Sequence, residues 1–137
     1  VTFPPEGRFT AQKLKDWLSG VIESGAPIII GRVPDSGRFI KITLGGSAGG
    51  LQVEGLFDAP TFQIQCRGGE NNYEDAEAIA YEIDSVMIGA PNNFMMGDVY
   101  VQTISRVGGA PQSLQLTDAQ SRYVFTCNYY AIASTGV

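Results

Sequence analysis

Gly45-Gly46-Ser47-Ala48-Gly49 fits G-x-S-x-G, the pattern in which a serine on a tight strand-to-helix turn attacks a carbonyl. Such a serine needs a base, and the chain has no histidine. That removes the commonest base near neutral pH and the commonest metal ligand. A lysine could serve instead, but the segment lies between two strand-like runs, so a flexible glycine loop is the favoured reading. The same glycines do not make a phosphate loop, because Leu51-Gln52-Val53 follow where Lys-Ser or Lys-Thr would have to open a helix. No G-x-G-x-x-G is present. A second candidate is acidic. Glu74 and Glu77, or Asp75 and Glu82, lie one to two turns apart on a helical stretch. No calcium-loop pattern accompanies them, so a solvated helix face is the better reading. No catalytic, cofactor-binding or metal-binding residue is therefore assigned.

The remaining polar candidates suit contact rather than reaction. Arg67 ends a strand, close to Glu70. Either it caps the turn or pairs on the surface, or it makes a charged contact across a subunit boundary. Arg106 and Arg122, at or near strand ends, carry the same two readings. Tyr123 and Tyr129 read as core. Tyr130, on the opposite phase of its strand, is a candidate for meeting a partner. The glycine loop, with Gly45, Gly46, Ser47, Gly49 and Gly50, completes the set of candidate interface residues.

The elements that must position these residues follow from periodicity. Residues 61–88 hold the strongest signal. Phe62, Ile64 and Cys66 alternate with Gln63, Gln65 and Arg67, as in a strand with one buried face. Gly68 and Gly69 break the strand. Tyr73, Ala76, Ala80, Ile83 and Met87 then recur at helical spacing, widened by Ile79 and Val86. Glu74, Asp75, Glu77, Glu82 and Asp84 are assigned to the outer face of that helix. Upstream, Thr10 reads as a helix N-cap, and Phe9 and Leu14 have the spacing of a hydrophobic staple. Leu14, Trp17, Leu18, Val21 and Ile22 give that helix its apolar face, and Gly25 and Pro27 end it.

Ile28–Val33 and Arg38–Leu44 read as two strands of a hairpin across the Pro34-Asp35-Ser36-Gly37 turn. Residues 45–50 and 90–96 are expected to be flexible loops, with a short edge strand over 51–57. Asp98–Val107 alternates as a strand. Gly108–Pro111 reads as a turn, with Ser113–Leu116 as a possible extension of the ladder, and Asp118 and Ala119 as another turn. Ser121–Ala133 alternates as a long final strand, apolar or aromatic on both phases, so it is central or faces a neighbour. The expected fold class is α+β: a mostly antiparallel sheet with two helices packed on one face, in a single domain over residues 1–137.

Composition sets the outer limits. With 137 residues and 44% hydrophobic content, the chain can bury a real core. A net charge of −5, with nine Lys and Arg scattered singly, disfavours binding to phosphate backbones. Cys66 and Cys127 fall on the apolar phases of their strands and read as buried free thiols, which fits a reducing compartment. No apolar run reaches the ~20 residues of a membrane span. Residues 1–10 lack the basic start and apolar core of a signal peptide.

The order of a leading amphipathic helix, a Pro-Asp-Ser-Gly turn, and Phe62–Gly69 running into Tyr73–Ile83 resembles the tail terminator proteins of long-tailed bacteriophages, also filed as tail-completion or minor capsid proteins. Arg122-Tyr123-Val124-Phe125 resembles the strand that closes their sheet. The likeness spans residues 10–132; the glycine loop and residues 108–116 depart from it. It implies a non-enzymatic virion protein without cofactor, assembled in the host cytoplasm. It implies a ring, typically of six copies, on the head-proximal end of the tail tube. There it would stop growth of the tail tube protein and offer a surface to the head-completion or connector protein, with genomic DNA only passing through and no membrane involved. The alternative is a head-completion or connector adaptor of the same virion. A small hydrolase using Ser47 and a ligand-binding α+β module are readings from other classes.

Overall fold

The structure, a computed structural model, describes residues 7–34, 37–47, 57–117 and 122–134. Helix α1 (Ala11–Ser19) begins where Thr10, in extended conformation, accepts a hydrogen bond on Oγ1 from Lys13 N at 3.2 Å. Leu14 and Leu18 are fully buried, and Phe9 enters the core to stack on Phe62 at 5.7 Å. The helix is shorter than its apolar spacing suggests. Gly20 caps it, and Val21 is left exposed. The amides of Val21 and Ile22 both close on Leu18 O, so this last turn is tightened rather than continued.

Strand β1 (Ile28–Ile30) does not form a hairpin with β2 (Phe39–Ser47). The two run parallel, with Ile28 beside Ile40 and Ile30 beside Ile42. Positive φ at Gly31 and Gly37 turns the chain back on itself, and Ile40 N bonds to Pro27 O. The chain thus re-enters β2 level with the start of β1.

Strand β3 (Phe57–Asp58) is a short piece on β7, and strand β4 (Pro60–Glu70) runs antiparallel to β2. Residues 51–56 of the expected edge strand lie outside the described residues. Gly68 and Gly69 do not end β4; they make a bulge before Glu70. Helix α2 (Tyr73–Ile88) follows at once. Asn72 Oδ1 accepts from Asp75 N at 2.9 Å, and the early Glu74 and Asp75 suit the positive end of the helix.

Strand β5 (Phe94–Met96) occupies what the sequence suggests is a loop, and Met96 is fully buried. Strand β6 (Val99–Thr117) is one long strand in which Gly108–Pro111 form a bulge instead of a turn. The expected turn at Asp118 and Ala119 lies outside the described residues. Strand β7 (Arg122–Ser134) is central, as its two-sided pattern predicts: it pairs with β4 on one side and β6 on the other. The sheet order is β1-β2-β4-β7-β6-β5, with β3 attached to β7. All pairs except β1–β2 are antiparallel.

The core lies on one face of this sheet. Ile40, Cys66 and Phe125 form one cross-strand row, and Ile42, Ile64 and Cys127 the next. Leu14 and Leu18 of α1 and Ala76, Ile79, Ala80, Ile83 and Met87 of α2 close over them. Both helices thus sit on the same face of an α+β fold. Cys66 and Cys127 are buried free thiols. Tyr73, expected in the stripe, is exposed, yet it meets Tyr123 and Phe125 edge-on at 5.3 and 5.2 Å.

Candidate assembly surface

The candidate contact residues separate into two groups along the strands. Arg67, Glu70 and Arg122 gather where β4 ends and β7 begins. Arg67 is 5% exposed. Its Nε donates to Gly37 O at 2.8 Å and its guanidinium NH2 to Pro34 O at 2.9 Å, while the guanidinium lies 4.5 Å from the Phe39 ring centre. A planar, five-donor cation suits this role, since it can serve two turn carbonyls and stack at once. Its role is the cap on the turn, and its charge is directed into the subunit. Arg122, opposite Glu70 in register, is 4% exposed, whereas Glu70 is exposed.

The second group lies at mid-sheet. Arg106 holds Asp84 in a two-pronged pair, Nε to Oδ1 at 3.1 Å and NH2 to Oδ2 at 2.7 Å. Tyr129 OH donates to the same Oδ1 at 2.8 Å. Asp84 is therefore not on the outer face of α2 as its charge suggested. It is 4% exposed and ties α2 to β6 and β7. Its spacing carried the signal: it follows Ala80 by four residues and adjoins Ile83, inside the apolar stripe. Burial raises the Tyr129 phenol above its ordinary range, with contributions from Cys127 and Asp84.

Tyr130 is half-buried on the helix-free face, opposite Thr61 and Ser105. Gly45, Gly46 and Ser47 are the end of strand β2 and not a loop, with Ser47 opposite Pro60. Thr61 packs so closely that a Cβ on Gly45 would lie 2.5 Å from its Oγ1. Gly49 and Gly50 lie outside the described residues. An open depression of about 370 Å³ crosses this face, lined by Thr43, Gly45, Thr61, Gln63, Asn128 and Val107 among others. Its lining mixes the hydroxyls and amides of Thr43, Thr61, Gln63 and Asn128 with a larger share of apolar surface, to which Leu44, Phe62 and Val107 contribute. Among the described residues no cluster of three or more His, Cys, Asp and Glu side chains is placed to hold a metal ion. No described helix is long and apolar enough to cross a membrane.

Residues 12–135 match the family described as bacteriophage tail terminator protein. The chain belongs to that family. No curated protein matches it. As a tail terminator family member it is a structural protein of the phage tail and a component of the virion. Its partly buried ion pairs then read as devices that stiffen a building block. Asp75 shows the same use. It accepts from Gly69 N at 2.8 Å and pairs with Arg38 at 3.0 Å, which locks the strand-to-helix junction. Glu82 accepts from the amides of Glu23 and Ser24 at 3.0 and 3.3 Å and so pins the segment after α1 to α2. Sequence reasoning assigned both acids to a solvated face.

Proposed function

We propose that this tail terminator forms a closed ring, of six copies, on the head-proximal end of the tail tube. The ring ends polymerisation of the tube protein and presents its other side to the head-completion or connector protein. The observation that carries the reading is the family match over nearly the whole chain. A ring repeats one heterologous contact around an axis. Each contact can be weak, because closure supplies effective concentration. Glu70, Tyr130 and the Gly45–Ser47 strand end are the candidates for direct contact. Arg67, Arg106 and Arg122 support the contact surface from within. Genomic DNA passes through the channel, and a net charge of −5 discourages it from sticking. Assembly takes place in the host cytoplasm.

Deleting the gene tests the reading against its nearest rival. Loss of a terminator gives tails of abnormal length. Tails of normal length that remain unattached to heads would assign the chain to head completion instead.

A further inference from the structure

Helix α2 carries five carboxylates and no cation. Asp75, Glu82 and Asp84 are engaged within the subunit, by Arg38, by the amides of Glu23 and Ser24, and by Arg106. Glu74 and Glu77 have no ion-pair partner among the described residues. They open a stripe that continues through Tyr81, Ser85 and Ile88 at spacings of three and four, along one flank of the helix. Tyr81 and Ile88 stand 45% and 53% exposed. Ala78 and Ser85, which neighbour Tyr81 one turn away on either side, are small, so its ring projects from the helix as a knob.

The depression of about 370 Å³ opens on the other, helix-free side of the sheet. Thr43, Gln63 and Asn128 offer hydroxyl and amide groups there, and Val107, 45% exposed, offers apolar surface. No described carboxylate lines it. Lys41 lies two residues before Thr43 on the same face of β2 and has no ion-pair partner among the described residues.

We infer that the Tyr81 ring of one copy of this chain enters the depression on the next copy, with Glu77 against Lys41. The inference rests on the ring reading above and specifies its contact. Shape, chemistry and charge each support this occupant. The depression has room for one aromatic ring, and its mixed lining suits a side chain with an apolar body and a hydroxyl tip. The stripe on α2 is acidic, and the cation beside the depression is unengaged. The spacings also agree. Glu77 precedes Tyr81 by one helical turn, ~6 Å along the surface. Lys41 precedes Thr43 by two strand residues, ~6.8 Å. A ring seated beside Thr43 thus brings Glu77 within reach of Lys41 when α2 lies along β2. Knob and depression belong to different sides of one subunit, so the contact is heterologous and repeats from copy to copy, as a ring requires.

The test is a charge exchange, read as the mass of the assembly formed with purified tail tubes, with the urea midpoint of each variant measured in parallel. Lys41→Glu and Glu77→Lys are each expected to raise the concentration needed for ring formation by about tenfold or more, and the two together to restore it. Tyr81→Ala is expected to lose the ring. Urea midpoints should stay near that of the unmodified chain, because none of these side chains has a polar partner of its own among the described residues. Variants that form rings as readily as the unmodified chain would overturn the contact and leave the ring reading standing. Single reversals that the combined variant fails to rescue would also overturn it. Rings of full mass that no longer bind tubes would assign the stripe to the tube protein and overturn it as well. An unmodified chain that stays monomeric with tubes would overturn the ring reading, and this inference with it.

Discussion

Asp84 is the residue on which most of the interior polarity converges. It carries its charge inside the helix–sheet interface and is held there by Arg106 and Tyr129. Removing the Asp84 charge leaves the buried Tyr129 hydroxyl and the partly exposed Arg106 with a weaker acceptor. Asp84→Asn is expected to cost about 2–3 kcal/mol, read as a lower urea midpoint with an unchanged slope. Cys66 makes a second prediction at this scale. Burial, with smaller contributions from Cys127 and Glu82, pushes its thiol from 9.0 up to about 12. Above pH 9.0 the unfolded chain releases this proton while the folded chain keeps it, so stability falls as pH rises towards about 12. The shift of Tyr129 acts in the same direction. The urea midpoint should therefore drop between about pH 8 and about pH 10.5, and Cys66→Ala should flatten that drop.

At the scale of elements, the strand-to-helix unit of residues 61–88 was legible because two periods meet in it. Alternation placed Phe62, Ile64 and Cys66 on the core face, and spacing of three and four placed Ala76 to Met87 against them. The parallel pairing of β1 with β2 was not legible. A run of isoleucines announces a strand but not its partner or its direction. That choice depends on Gly31 and Gly37 and on Arg67 reaching back to the carbonyls of Pro34 and Gly37. Contacts that distant leave no mark in local pattern. The closeness of β4 and α2 gives a direct test. A Cβ on Gly68 would lie 2.5 Å from the backbone nitrogen of Ala76. Gly68→Ala should thus push the helix off the strand and lower stability by about 1–3 kcal/mol in thermal or urea unfolding.

For the whole molecule, the described residues make a two-sided block, with both helices on one sheet face and none on the other. The helix side is closed by its own core. The helix-free side displays hydroxyls and amides such as Thr43, Gln63 and Asn128. The candidate surface was legible only in part. Tyr130 was chosen from its strand phase and the Gly45–Ser47 segment from its glycines, which suggested a loop where the chain forms the end of β2. Arg67 and Arg122 were chosen for their charge, which the fold turns inward. Side-chain type alone does not say which way a long cation points.

The central claim is that this chain sits at one end of the tail tube and stops its growth. Its most direct test is electron microscopy of tube protein polymerising with and without the purified, labelled chain. The expected result is label at a single end of each tube, as one ring, with elongation arrested there. Label scattered along the tubes, or tubes that lengthen as freely as without the chain, would contradict the claim.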